Sequence, residues 1–386
     1  MVATVESVGR GRVVESTLAA VERLLQRRTG METILVDPED LGGSGRTLVM
    51  RARVAHNNFS LPRTVVVKQL LDADATDADL GEAFAREAAA YKFATALPVD
   101  SRPGPTLLAS DPEQRILVLS DLGVGDSVAA VLARAETMAA GTLLAAWGQA
   151  LGRMHAGTVG REDDLSALAR REHTDVRHDP VGCEAARAAD SVPGRLADLG
   201  MVAPAPTELL RKAASLFTGG PYRAFSPSDV GPDNAVVIDG GVRFLDYEWA
   251  GFRDATLDVG YAMLTYPNPL RTGLEDGLSG TLVESWRSEV VRIWPRLDDD
   301  VTLLRHMAAA LTAWLVLATY WHLPDGPDSQ DAGFDAGHLH ALTEWSGADL
   351  ADRWQALAAA LGPEMPQVAP GLAEFAAGAA DIARKL

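Results

Sequence analysis

The sequence is poor in cysteine, in positive charge and in long apolar runs, and each shortage removes a class of protein. Cys183 is the sole cysteine among 386 residues, so no internal disulfide and no cysteine metal cluster can form, and a reducing compartment is the natural setting. Lysine and arginine number 35 against 53 aspartates and glutamates, a net charge of −18 at pH 7. Such a surface repels phosphate backbones and attracts cations, which argues against a nucleic-acid partner, although the same charge also serves plain solubility. The longest apolar stretch, Met307 to Leu323, carries Thr312, Thr319 and His322 and is short for a bilayer span, so a buried helix and no membrane partner are expected. The opening residues contain no apolar run of signal-peptide length, from which a cytoplasmic location is expected. There is no internal repeat.

What is present is an ordinary globular composition, 47% hydrophobic and 23% charged, at a length suited to two or three units. Residues 11–29 place Val14, Leu18, Val21, Leu24 and Leu25 at helical spacing. From 33 to 71 three β-rich runs follow, TILVD, RTLVMRARVA and RTVVVKQLL, separated by GGSG and by Asn57 and Asn58, the pattern of an antiparallel meander. Residues 79–97 read as an alanine-rich helix stopped by the proline-rich stretch 98–105, and RILVLS at 115–120 adds a strand. After Gly123 the chain is mainly helical, except that 224–247 hold two short strands joined by Asp239, Gly240 and Gly241, a hairpin turn. The expected fold class is therefore α+β and two-lobed: a small antiparallel sheet lobe with one helix over 1–119, and a larger, mainly helical lobe over 120–386.

Chemistry is expected where the helical part is interrupted. In FSPSDVGPDN, Asp229 and Asn234 lie five residues apart on a loop that its Pro and Gly residues keep from being a helix. Twelve residues after Asn234, Asp246 ends the second strand of the hairpin and returns to the loop. An amide oxygen and a carboxylate held together make a hard-oxygen site suited to Mg²⁺, and Asp229 is left for an acceptor hydroxyl. The loop LGGSGR contributes Gly42, Gly43 and Gly45, whose amides can approach phosphates closely. His173, Asp175, His178 and Asp179 share a charged stretch without helical periodicity and are expected to be solvated loop rather than a zinc site. Trp314, Tyr320 and Trp321 are expected to pack in the core.

The spacing of Asp229, Asn234 and Asp246 is that of a kinase catalytic loop and its metal-binding aspartate. Together with LDYEWAGFRDATLDVGYAM at 245–263 and LGRMHAG at 151–157, it resembles the aminoglycoside phosphotransferase and choline kinase superfamily, which has the protein-kinase-like fold. The resemblance spans 41–263. It implies an ATP- (or GTP-) and Mg²⁺-dependent enzyme that phosphorylates a hydroxyl of a small-molecule alcohol, aminoglycoside-, macrolide-, choline- or sugar-like, with an amine-bearing one favoured by the acidic chain. It further implies that Lys68 meets the nucleotide phosphates, that Glu87 pairs with Lys68, with Glu82 as the alternative, and that backbone groups of Ser120 and Leu122 hold the base. His155 and Asp258 would support the catalytic loop without touching substrate. The chain departs from the pattern at Pro227 and Ser228, where the family has His-Gly, and at Gly231, where a second histidine is frequent. Another brace for the loop is therefore expected, and the alternative function is a pseudokinase that binds nucleotide or a metabolite without phosphoryl transfer.

Overall fold

Alternation of buried and exposed residues drives the first part of the chain into a sheet. The computed structural model describes the chain apart from residues 1, 44–46, 56–60, 72–76, 136, 177–178, 267–279, 325–339, 362–368 and 370. Contacts divide it into two units, the first comprising Met1–Ala96, Gly104–Gly123 and Ala167–Asp175, the second Leu97–Pro103, Val124–Ser166 and Val176–Leu386.

The first unit holds helix α1 (Val2–Thr29), strands β1 (Leu35–Gly42), β2 (Thr47–Val54) and β3 (Thr64–Leu70), helix α2 (Asp77–Thr95), and strands β4 (Leu107–Asp111) and β5 (Ile116–Ser120). The strands form one antiparallel sheet in the order β1-β2-β3-β5-β4. Leu48, Met50 and Ala52 of β2, Val65 and Val67 of β3, and Ile116 and Val118 of β5 bury one face in a core with Val21, Leu24 and Leu25 of α1. The period of two in the strands and the helical period in α1 thus meet in one apolar cluster. Side chains at the intervening positions point to the other face, and Lys68 is among them. Gly43 follows β1 with φ +124°, and a Cβ there would overlap the carbonyl oxygen of Thr47, so the turn into β2 needs glycine for its backbone angle and for space. Gly45 lies outside the described residues.

The second unit is mainly helical: α3 (Val128–Arg134), α4 (Thr137–Ala156), α5 (Glu162–Arg171, whose end clusters with the first unit), α6 (Pro180–Asp198) and α7 (Thr207–Ala214) precede four short strands. These are β6 (Arg223–Ser226), β7 (Ala235–Ile238), β8 (Gly241–Phe244) and β9 (Gly251–Asp254). Helices α8 (Thr256–Thr265), α9 (Thr281–Val290), α10 (Asp300–His322), α11 (His340–Thr343), α12 (Gly347–Leu361) and α13 (Leu372–Ala383) complete it. The α+β class expected from the sequence is the one observed. Strands β7 and β8 form the expected hairpin, with Ile238 opposite Gly241 and positive φ at both Asp239 and Gly240, the two-residue turn whose twist suits a hairpin. Strands β6 and β9 pair separately, with Ser226 opposite Gly251. Gly148 and Gly152 let α4 and α9 approach closely, since a Cβ at either would strike the backbone or side chains of α9. That approach brings Trp286 of α9 to His155 of α4.

Helix α10 is long and apolar enough to cross a membrane, yet most of its apolar window is buried in the protein. Trp314 is fully buried, as expected of core, and donates from Nε1 to the carbonyl of Leu257 at 2.8 Å. Replacing Gly43 with alanine should destabilise the protein by about 1–3 kcal/mol, the usual cost of an L side chain in such a conformation plus a steric overlap; an unchanged midpoint of urea unfolding would contradict this account of the turn.

Candidate active site

Strand β6 ends at Ser226, and the next three residues turn sharply to present Asp229. Pro227 fixes one backbone angle and pushes Ser226 towards extended backbone, and Ser228 takes φ +79°, a conformation that costs a non-glycine residue energy unless its surroundings enforce it. Here they do. The Ser226 hydroxyl donates to Asp258 Oδ1 at 2.6 Å and accepts the Ser228 N–H at 3.0 Å. His155 Nε2 lies 3.0 Å from Asp258 Oδ2, and Trp286 Nε1 donates to His155 Nδ1 at 2.9 Å. An indole N–H only donates, so Nδ1 accepts and the imidazole proton sits on Nε2, facing Asp258. From the other side Arg253 reaches the Ser226 hydroxyl at 3.5 Å and holds Asp179 through two bonds of 2.7 and 2.8 Å.

This chain of groups is the brace that the missing His-Gly pair required. The expected support from His155 and Asp258 is present, delivered through the Ser226 side chain. Asp179, expected to be solvated, is buried: it pairs with Arg253 and caps α6 by accepting the Val181 N–H at 3.1 Å. His173 and Asp175 are exposed, as expected of loop; Asp179 differs because its partners lie on β9 and in the cap of α6.

Asp229 itself is only 7% exposed. Its carboxyl is pushed up from 3.8 to about 7, chiefly by burial. The Gly231 N–H, which donates to its Oδ1 at 3.2 Å, pulls it down, as does Tyr261, whose buried hydroxyl approaches without reaching good hydrogen-bond geometry. The negative charges of Asp246 and Glu248 raise it again. A Cβ at Gly231 would come within 3.1 Å of Asp229 Oδ1 and 3.3 Å of the Tyr261 ring, so glycine keeps the approach to that oxygen open.

The hairpin register brings Asn234 and Asp246 together. Ala235 pairs with Phe244, and the Leu245 N–H donates to the Asn234 carbonyl at 2.8 Å, so the two side chains start from the open end of one hairpin. Strand β8 stops at Phe244, two residues short of the expected end, and Asp246 turns out of it with φ +57°. Among the described residues no three His, Cys, Asp or Glu side chains close around a common point. One amide oxygen and one carboxylate beside an acidic neighbourhood nevertheless fit Mg²⁺, which keeps most of its ligands as water and phosphate oxygens.

In the first unit, Lys68 Nζ lies 2.7 Å from Glu87 Oε1, both side chains nearly buried. Glu82, the alternative partner, lies 3.4 Å from Arg86. Gly42 and Gly43 both have positive φ, and the Gly42 N–H is taken by Asp40 Oδ1 at 2.9 Å. The Ser120 N–H donates to the Thr106 carbonyl at 2.8 Å and its hydroxyl accepts the Thr106 N–H, so of its two peptide groups only the carbonyl is left for a ligand. Asp121 accepts from Arg51 at 2.9 and 3.2 Å and from the Gly123 N–H, which fixes the segment around Leu122. Desolvation is the largest influence and would raise its pKa, but the hydrogen bonds from Arg51, the Gly123 N–H and Thr64 together with the Arg51 charge outweigh it and leave the carboxyl below its ordinary value.

No family model and no curated protein matches the chain. Solved structures with a similar course include a choline/ethanolamine kinase family protein from Mesorhizobium loti, 15% identical with a TM-score of 0.44, covering 88% of this chain and 93% of that one. A macrolide 2'-phosphotransferase from Brachybacterium faecium is 18% identical with a TM-score of 0.44, over 90% and 98%. An aminoglycoside 2'-phosphotransferase IIIa variant in complex with GDP is 14% identical with a TM-score of 0.48, over 88% and 99%. Likeness at this level carries no assignment of activity, which rests on the residues.

Replacing Ser226 with alanine should cost about 2–4 kcal/mol, because it orphans the buried Ser228 N–H and removes a hydrogen bond to a charged group. Urea unfolding measures this, and a loss below about 0.5 kcal/mol, the level of an ordinary surface change, would show that the loop does not depend on the brace.

Proposed function

We propose that the chain is a phosphotransferase that moves the γ-phosphoryl group of ATP or GTP to a hydroxyl of a small molecule. The observation that carries the reading is Asp229, a buried carboxyl with a proton affinity near neutrality, set beside the hairpin end that bears Asn234 and Asp246. A base is most effective when its pKa lies near the working pH. In this reading the Asp229 carboxylate accepts the proton of the acceptor hydroxyl as the hydroxyl oxygen bonds to phosphorus. The bond from that phosphorus to the β–γ bridging oxygen breaks, and the nucleoside diphosphate leaves with the electron pair.

Asn234 and Asp246 would hold Mg²⁺, which when bound neutralises phosphate charge. Lys68, oriented by Glu87, is assigned to the nucleotide phosphates, as are the Gly43 and Gly45 amides; the Gly42 N–H, engaged by Asp40, is not. The Ser120 carbonyl and the Leu122 peptide are assigned to the base. The excess of 53 acidic over 35 basic residues, with Asp246 and Glu248 acting on Asp229, favours an acceptor that carries an amine.

A coupled assay of ADP release from ATP or GDP release from GTP, with Mg²⁺, over aminoglycosides, macrolides, choline analogues and amino sugars tests the reading. Acceptor-dependent release is expected, and Asp229→Ala should lower it by about 100-fold or more. Mg²⁺-dependent nucleotide binding without turnover on any acceptor would instead support the pseudokinase, and turnover unchanged in the variant would remove Asp229 from its role.

A further inference from the structure

Strand β6 leads to Asp229 at one end. At its other end, in the same unit, the turn at Gly220 and Pro221 meets α7 and the first turns of α10 around a cavity of about 630 Å³. That is ample for an organic ligand. Its walls are mainly apolar, with Leu209, Leu216, Ala308, Ala309 and Leu372 among them. A Cβ at Gly220 would collide with the Asp254 carboxylate, so glycine lets the turn lie directly over that buried group.

Charge at this cavity runs against the rest of the protein. Lys212 and Arg305, both exposed, line it together with the partly buried His306. In a chain of net charge −18 the basic side chains nearby find acids: Arg211, next to Lys212, pairs with Asp190, and Arg287 pairs with Asp300. Among the described residues Lys212 and Arg305 have no carboxylate within ion-pair distance. The His306 ring packs edge-on to Tyr222 with centroids 4.7 Å apart and makes no hydrogen bond to a described residue. Among the described residues Glu208 is the one acid lining the cavity. Asp254 lies beneath the turn with both oxygens engaged, Oδ1 by Thr256 and Oδ2 by the Tyr222 N–H. An apolar chamber lined by two unpaired cations and an imidazole matches a ligand with an apolar body and one anionic group.

We propose that this cavity binds an amphipathic carboxylate, its hydrocarbon part against the leucine and alanine walls and its carboxylate held by Lys212 and Arg305. The site is separate from Asp229 and does not depend on phosphoryl transfer.

Calorimetric titration of the full chain with decanoate tests the proposal. Saturable one-to-one binding is expected, with none for acetate, which lacks the apolar body. The double variant Lys212→Ala/Arg305→Ala changes only exposed side chains and should weaken decanoate by about 10-fold or more. The variant Ala309→Trp should abolish binding by filling the cavity, with circular dichroism verifying the fold of both. No saturable binding, decanoate affinity unchanged in either folded variant, or equally tight and Ala309→Trp-sensitive binding of decyltrimethylammonium would each overturn the proposal.

Discussion

The second unit depends on one buried run of polar contacts: Asp179 to Arg253, Arg253 to Ser226, Ser226 to Asp258, Asp258 to His155 and His155 to Trp286. Its members come from the start of α6, from β9, β6, α8, α4 and α9, so it ties six separate elements behind the loop that carries Asp229. A buried polar group without a partner costs free energy. These groups satisfy one another, and removing one exposes the rest to that cost. The close approach of α4 and α9 at Gly148 and Gly152 is part of the same device, because it brings Trp286 to His155.

The brace holds a conformation that the chain would not adopt unaided. Ser228 and Asp246 both take positive φ without being glycine, and Asp229 is buried with acidic neighbours. Raising the Asp229 carboxyl from 3.8 to about 7 means that the folded protein binds this proton more tightly than the unfolded chain. Its contribution to stability therefore falls as pH rises from about 4 to about 7 and stays low above that. A site that lowers stability at the pH at which its base is poised is the usual exchange between stability and function.

Much of this was legible in the sequence, for identifiable reasons. Alternating Val65, Val66, Val67 and Lys68 sets Lys68 on the face opposite the core, and Glu87 meets it from a strongly helical segment. Asp239 and Gly240 announce the hairpin because few residues accept positive φ in succession, and the hairpin places Asp246 near Asn234. Strands β6 and β9 were not legible: they have four residues each and are almost wholly buried, so they show no alternation. Strand β4 is five residues long and pairs with β5 through an irregular register. Ser226 as a brace left no local signal either. A serine before a proline reads as a turn, and its partners at 253 and 258 are defined only once β6 pairs with β9.

The central claim is that this brace buries Asp229 as a base poised near neutral pH. Titration of its carboxyl carbon by NMR in the metal-free protein tests this most directly, with the resonance assigned by its loss in Asp229→Asn. The account predicts a midpoint near 7; a midpoint near the ordinary 3.8 would contradict it.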